Sequence, residues 1–141
     1  MSVVATRYHD FSAGHKVTGH ENKCSHLHGH NYRIYFTIRS DVGVDDLGRV
    51  LDFSAIKSYL CEWLESEWDH RFLIYTSDPD VAVLQQYFPD DVVVTSFNPT
   101  AENMARYLVE TVAPRELKQT GCELVSCTVQ ETRKCQATFS R

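Results

Sequence analysis

The chain has 141 residues, of which 43% are hydrophobic and 23% are charged, and its formal net charge is −5 at pH 7. This composition is typical of one globular domain and excludes a collagen-like or disordered chain. The acidic balance disfavours a nonspecific nucleic-acid binder, which needs a basic surface. No apolar run is long enough for a transmembrane helix, and no secretion signal is visible, so we expect no membrane partner.

The five cysteines are an odd number at irregular spacings. A disulfide framework is therefore not expected, and a reducing cytoplasm is the predicted location. The sequence contains no Cys-x-x-Cys pair, which argues against a four-thiolate zinc site. Neither an internal repeat nor a linker is recognisable, so we predict a single domain over residues 1–141.

The first half of the chain predicts two strands and a helix. Val3 to Phe11 is rich in β-branched and aromatic residues and predicts a strand, while residues 12–30 predict a loop. Asn31 to Ser40 alternates between apolar and polar residues, as a half-buried strand does. Residues 54–67 predict an amphipathic helix. Its cap would be Asp52 or Ser54, and its apolar stripe comprises Phe53, Ile56, Leu60, Trp63 and Leu64.

The second half predicts one more helix and two more strands. Residues 71–94 contain turn signals without a clear period. Thr100 would cap the second helix and Pro114 would end it. Glu123 to Glu131 alternates as a strand, and a turn then leads into a last strand through Phe139.

The resulting order is β-β-α-α-β-β, with hairpin signals at both ends. This order predicts an α+β fold in which two helices cover one face of a four-stranded antiparallel sheet. Such a sheet leaves edge strands exposed, so an oligomer that joins sheets edge to edge is expected.

Histidine is the outlier in the composition, with seven residues, five of them between His15 and His30. His28 and His30 are two apart and lead into a strand, so both side chains should emerge on one face. An isolated pair of this kind is more often a surface feature, but His15 at the end of the first strand offers a third imidazole. Three imidazoles suit a zinc ion with one open coordination position. His9, His20 and His26 break this parity or lie in the loop.

Cys24 lies four residues before His28 and allows two interpretations. As a fourth zinc ligand it would close the site and make it structural. As a thiol beside the metal it would serve as a base or nucleophile. Spacing alone leaves both open. The other four cysteines are interpreted as small apolar fillers: Cys61, Cys122, Cys127 and Cys135.

Three acidic residues need individual interpretation. Asp69 precedes His70 and could set the proton affinity of that histidine in a proton relay. Neighbours in sequence, however, do not usually form a direct hydrogen bond. The alternative, a histidine favourably placed at the C-terminal end of a helix, explains the pair equally well. In an alternating strand, Glu131 would point to the same side of the sheet as Val125, Cys127 and Val129. Its carboxylate would then lie on the buried face, unless the strand has already ended. A ligand ring with two adjacent N–H donors could form a bidentate pair of hydrogen bonds with this carboxylate. Glu102 is explained by the helix dipole alone.

Six motifs occur in order and together resemble the 6-pyruvoyltetrahydropterin synthase / 6-carboxytetrahydropterin synthase family, from residue 11 to about 139. These motifs are Phe11-Ser-Ala-Gly-His15, Cys24-x3-His28-Gly-His30-Asn-Tyr32, Leu51-Asp52-Phe53, Asp69-His70, Pro99-Thr-Ala-Glu-Asn103 and Val129-Gln-Glu131-Thr132. The short Cys-x3-His gap and the Asp-Phe pair resemble the bacterial carboxy branch, which serves queuosine biosynthesis. The stretch from Ile74 to Phe97 is longer than in compact bacterial members.

The resemblance implies roles for these residues. His15, His28 and His30 would bind Zn²⁺, and Cys24 would accept a proton, with His70 and Glu131 as relay partners. Asp69 would orient His70, Glu131 would also anchor the pterin ring, and the Thr100 region would border that pocket. The substrate would be 7,8-dihydroneopterin triphosphate and the product 6-carboxy-5,6,7,8-tetrahydropterin. Candidates for holding the triphosphate flank the motifs: Lys16, Lys23 and Arg133.

The family fold is the tunnelling fold, in which trimers close their sheets into a barrel and two trimers stack into a homohexamer. The resemblance therefore implies active sites between subunits, with Cys24 facing His70 of a neighbour. One alternative is a 6-pyruvoyltetrahydropterin synthase acting on the same substrate. Another is a zinc-stabilised binding module without catalysis.

Overall fold

The computed structural model describes residues 2–141, and the secondary structure begins with two long strands. Six strands and three helices follow one another along the chain, and we number each type in order. The strands are β1 (Val4–Lys16), β2 (His28–Ser40), β3 (Phe72–Tyr75), β4 (Val92–Thr95), β5 (Cys122–Thr132) and β6 (Cys135–Ser140). The helices are α1 (Phe53–Ile56, Lys57–Cys61 and Glu62–Glu67), α2 (Val81–Tyr87) and α3 (Ala101–Tyr107, Leu108–Val112 and Ala113–Glu116), where the middle segments of α1 and α3 are π-helical.

All six strands form one sheet in the order β4-β3-β1-β2-β5-β6. The pairs β1–β2, β2–β5 and β5–β6 are antiparallel, as predicted, whereas β1–β3 and β3–β4 are parallel. The prediction of a purely antiparallel four-stranded sheet with two helices is therefore wrong. Residues 71–94 add β3, α2 and β4, which were not recognised because each strand has four residues and an almost continuous apolar run without alternation.

The β1–β2 hairpin is longer than predicted at the end that carries the histidines. β1 extends beyond Phe11 to Lys16, and β2 begins at His28, so much of the predicted loop is strand. The cause is the ladder itself, since Gly14 pairs with Gly29 although neither residue favours a strand. Close packing explains Gly14, because a Cβ atom there would lie 2.6 Å from the ring of Phe72.

Two local predictions also need correction. Helix α3 does not end at Pro114 but continues to Glu116, and the π-helical turn before the proline accommodates its missing N–H. Val125 does not share the buried face with Cys127, because a β-bulge makes it an extra residue and Leu124 takes the buried position. Both predicted helix caps are present: the side chain of Asp52 accepts from Ser54 N, and that of Thr100 accepts from Asn103 N.

The core lies between the sheet and the two longer helices, which cover the same face, as predicted. Strand β2 contributes alternate residues from Tyr32 to Ile38, all of them almost fully buried. Helices α1 and α3 contribute their apolar stripes, comprising Ile56, Leu60 and Leu64 from α1 and Met104, Leu108 and Val112 from α3. The other face of the sheet carries the polar residues of the same strands. Within residues 2–141, no helix is long and apolar enough to cross a membrane.

Candidate active site

Three histidines converge on the helix-covered face, at the end of the β1–β2 hairpin. His15 pairs directly with His28 across the ladder, and His30 follows two residues later on the same side. The three ring centroids are 4.5 to 5.0 Å apart. One ligand atom from each ring lies within 4.8 Å of the others. Neighbouring strands thus bring together the three imidazoles that the sequence predicted as metal ligands.

Two of the rings are held in a definite orientation by backbone carbonyls. Nδ1 of His15 donates to the carbonyl of Pro99 at 2.6 Å, and Nδ1 of His28 donates to the carbonyl of His26 at 2.7 Å. Because Nδ1 is the donor in both rings, the Nε2 atoms of His15 and His28 remain available as ligand atoms. These two Nε2 atoms lie 2.9 Å apart. Outer partners of this kind fix the tautomer of a metal-ligating histidine.

Burial favours the neutral form of two of these imidazoles, those of His15 and His30. His15 is almost completely buried, which lowers its pKa to about 4, against the hydrogen bond to Pro99 and with help from the other two rings. Burial, followed by the charge of His28, also lowers the pKa of His30. Neutral imidazole is the form that binds a metal. The site therefore offers ligands in the state that a metal requires at neutral pH.

The donor set fits a zinc ion. Nε2 of His30 is buried and has no hydrogen-bond partner within residues 2–141. An unsatisfied buried nitrogen is costly, and a cation bound to the three Nε2 atoms would satisfy it. Three imidazoles with a fourth position left open are the ligand pattern of a catalytic zinc site.

Glu131 of β5 lies beside the three rings. Its Oε1 is 4.0 Å from Nε2 of His15, and its Oε2 is 3.9 Å from Nε2 of His30, which is too long for hydrogen bonds. Burial, together with the negative charge of Glu102, raises the pKa of the Glu131 carboxyl, and His28 acts against this shift. The expected half-buried carboxylate is therefore present. The proximity of Glu102 was not expected, because its place in the first helical turn had a sufficient local explanation.

Cys24 lies in a short 3₁₀ turn, Lys23–Ser25, next to the end of β1. Its carbonyl accepts a hydrogen bond from Val17 N at 2.9 Å, which folds the loop back toward His15. The side chain is half-buried, and its sulfur is outside the three-histidine group of donor atoms in the described residues. The Cys24 sulfur is therefore not one of the ligand atoms that converge at this site.

Tyr32 is a site neighbour that the sequence pattern did not single out. Its ring packs edge-on against His15 and His30, and its buried hydroxyl has no partner within the described part of the chain. Burial, then the negative charges of Glu131 and Cys24, raise the pKa of Tyr32. The phenol thus lies near both residues. Its position in an apolar alternation gave no signal beyond that of an ordinary core residue.

Asp69 and His70 do bond directly, contrary to the usual behaviour of sequence neighbours. Nδ1 of His70 lies 2.9 Å from Oδ2 of Asp69, and the backbone of His70 has φ = 58°, a value uncommon for residues other than glycine. Both residues dock on Ser12, whose N–H donates to Asp69 at 3.1 Å and whose carbonyl accepts from His70 N at 2.6 Å. Partial burial opposes ionisation of Asp69, but these hydrogen bonds outweigh it and lower its pKa.

His70 does not join the three histidines within one chain. Its side chain is 80% exposed and lines a groove with Ser12, His30 and Asn31. Ser12 and Asn31 alternate with the histidines along β1 and β2, so their side chains face the opposite side of the sheet. No hydrogen bond or ion pair in residues 2–141 links His70 to the three-histidine cluster.

The triphosphate candidates differ in their surroundings. Lys16 is compensated, since its Nζ lies 3.0 Å from Asp78 and 2.7 Å from Asp80. It is therefore not a free cation for a ligand. Arg133 lies at the turn after β5 and lines the groove beside His70. Lys23 precedes Cys24 in the 3₁₀ turn.

Comparison with known proteins identifies the family. A sequence model of 6-pyruvoyl tetrahydropterin synthase matches residues 4–141. The chain belongs to this family. It is 34% identical over 134 residues to the 6-carboxy-5,6,7,8-tetrahydropterin synthase of Rickettsia typhi, a match that covers 94% of this chain and 96% of that protein.

Solved structures agree with this family assignment. A Caenorhabditis elegans 6-pyruvoyl tetrahydropterin synthase superposes with a TM-score of 0.70 and 25% identity over 99% of this chain and 95% of that one. An uncharacterized protein from Wolinella succinogenes gives a TM-score of 0.85 at 24% identity, over 98% and 97% of the two chains. The latter likeness shows the fold alone.

Proposed function

We propose that this member of the 6-pyruvoyl tetrahydropterin synthase family is a zinc-dependent 6-carboxy-5,6,7,8-tetrahydropterin synthase. It would convert 7,8-dihydroneopterin triphosphate and one molecule of water into 6-carboxy-5,6,7,8-tetrahydropterin, acetaldehyde and triphosphate. The observation that carries the proposal is the convergence of His15, His28 and His30 beside Glu131. The names of the curated relatives support the carboxy product.

Glu131 would anchor the pterin ring. Its carboxylate is half-buried and has no close hydrogen-bond donor in the described residues, so its oxygens are available to a ligand. The 2-amino group and the adjacent ring N–H of a pterin would donate to the two oxygens as a bidentate pair. The segment around Thr100 borders the same pocket, since the preceding carbonyl of Pro99 contacts His15.

Proton transfer would fall to Cys24 and His70. When bound, zinc would supply Lewis acidity that polarises the side-chain oxygens of the substrate. The Sγ atom of Cys24, as thiolate, would take the proton from the adjacent carbon. Nε2 of His70 would exchange protons with the substrate side chain, because Nδ1 is held by Asp69. Triphosphate would leave by elimination. Uptake of one water molecule and cleavage of the side-chain carbon–carbon bond would then release acetaldehyde and leave the carboxylate on the ring.

A complete site would need a second subunit, because His70 faces away from the three histidines of its own chain. Strand β3 pairs with β1 only at Gly14–Lys16, so within residues 2–141 most of the outer edge of β1 is unpaired, as is the outer edge of β6. Such edges pair readily with another strand. We propose that three copies join edge to edge and that two trimers form a homohexamer, with His70 of one copy serving the neighbouring site.

The proposed product would feed synthesis of the 7-deazaguanine base of queuosine in the cytoplasm. The pathway ends in tRNA, but the acidic chain would itself bind only the small pterin substrate and not nucleic acid.

The deciding experiment is incubation of the purified protein with 7,8-dihydroneopterin triphosphate, with and without a chelator. Acetaldehyde and a carboxypterin are the expected products, and the chelator should abolish their formation. A dicarbonyl side chain would instead identify a 6-pyruvoyltetrahydropterin synthase, an alternative that the Caenorhabditis elegans likeness supports. Activity insensitive to complete zinc removal would overturn the metal-dependent mechanism.

A further inference from the structure

A buried carboxylate anchors the end of β1 just beyond His15. The side chain of Asp78 is fully buried. Its Oδ1 accepts from Lys16 Nζ at 3.0 Å and from Asp80 N at 2.8 Å, and its Oδ2 accepts from Thr18 Oγ1 at 2.7 Å. A buried charge needs this complete set of partners to be tolerated. Asp78 therefore ties the loop after β3 to the two residues that flank Val17.

The side chain of Asn98 continues this connection. Its Oδ1 accepts from Thr18 N, and its Nδ2 donates to the Thr18 carbonyl, both at 2.9 Å. The next residue is Pro99, whose carbonyl accepts from Nδ1 of His15. These hydrogen bonds close a ring together with two peptide links, Asn98–Pro99 and His15–Lys16. The ring runs from His15 through Lys16, Asp78, Thr18, Asn98 and Pro99 and back to His15. Below, "the ring" means this hydrogen-bonded set of residues and not the imidazole of His15.

We propose that Asp78 and Asn98 are positioning residues for His15, an inference that rests on the proposed metal site. They hold the Pro99 carbonyl against Nδ1 of His15 and so direct Nε2 toward the metal position. Outer partners that fix the tautomer and orientation of a ligand contribute substantially to metal affinity. The inference also assigns a role to the segment between β3 and α2.

A purely structural role makes a different prediction. An ion pair that only stabilises the fold would lower the melting temperature when removed, but it would leave the zinc affinity of the folded protein unchanged. Asp78→Asn removes the charge at constant shape, and Thr18→Val removes one hydrogen bond of the ring. Asp45→Asn is a matched control, because Asp45 accepts from two backbone N–H groups and from Arg49 in an exposed loop.

The first measurement is the zinc dissociation constant by competition with a chromophoric chelator. We expect Asp78→Asn and Thr18→Val to weaken zinc binding by about tenfold or more, the range usual for outer-shell changes, and Asp45→Asn to leave it unchanged. Wild-type affinity in both ring variants would overturn the inference, whatever happens to the melting temperature. If Asp78→Asn does not fold, the zinc affinity of Thr18→Val alone decides whether the inference holds.

The second measurement uses metal-free protein and is independent of the proposed function. The Nδ1 proton of His15 should give a slowly exchanging signal in the NMR spectrum of the wild type and a broadened or absent signal in both ring variants. An unchanged signal in both would contradict the positioning role. Failure of the wild type to bind zinc would instead overturn the proposed function, and the proton signal would still test the ring.

Discussion

Acid should destabilise the metal-free protein through His15. The buried imidazole has a pKa of about 4, against 6.5 for an exposed histidine. Above pH 6.5 both the folded and the unfolded chain carry a neutral His15, so this residue adds no pH dependence. Between pH 6.5 and 4 only the unfolded chain takes up the proton, and the free energy of unfolding therefore falls as the pH is lowered.

The size of this effect follows from the same two values. A difference of about 2.5 pH units corresponds to about 3 kcal/mol at 1.36 kcal/mol per unit. That is a large share of the roughly 5–15 kcal/mol that stabilises a typical domain. Carboxylates with lowered pKa values, such as Asp69 and Asp78, contribute at lower pH, below the range in which His15 acts.

The assay is urea denaturation of chelator-treated protein at a series of pH values from 7 to 4.5, followed by circular dichroism. The matched variant is His15→Asn, which keeps a donor for the Pro99 carbonyl but cannot take up the proton. Subtracting its stability curve from that of the wild type isolates the contribution of His15. Parallel curves for the two proteins would refute the reasoning, because they would show that burial of His15 does not depress its proton affinity.

Three further predictions concern the proposed reaction. Cys24→Ala should keep the zinc content and lower kcat by about 10²- to 10⁴-fold, the usual contribution of a general base; loss of zinc together with unfolding would favour the binding module. Glu131→Gln should keep zinc and weaken pterin binding, measured by fluorescence titration, by at least about tenfold, since charge-assisted hydrogen bonds to a carboxylate contribute about 1.5–3 kcal/mol. Oligomers of Cys24→Ala alone and of His70→Ala alone should each have strongly reduced activity, and unfolding and refolding the two variants together should restore part of the wild-type activity. No recovery in verified mixed oligomers would place both residues in one subunit's site.

Elements with a strong local period could be predicted from the sequence. The alternation of β2 and the apolar stripe of α1 place the correct residues in the core, because periods of 2 and 3.6 are properties of the local backbone. The exception is Phe53 at the start of α1, which was predicted to belong to the stripe but is 58% exposed. Strands β3 and β4 could not be found in this way. β3 is buried at its two central residues and half-buried at its ends, and β4 is half-buried at all three valines, so neither short apolar run alternates between a buried and an exposed face.

The sequence by itself determined that His28 and His30 share one face, since residues two apart in a strand always do. It also determined the helix cap at Thr100 and narrowed the other cap to Asp52 or Ser54, because caps depend on bonds to the next few residues; the structure has Asp52. These features need no knowledge of the rest of the chain.

Only the tertiary structure decided how the site is assembled. The β1–β2 register sets His15 opposite His28, and the carbonyl that orients His15 comes from Pro99, 84 residues away. The packing of β5 brings Glu131 to the same place, whereas the docking of His70 on Ser12 turns it to the other face of the sheet. Such contacts depend on strand order and register, which are set by burial across the whole sheet and not by any local pattern.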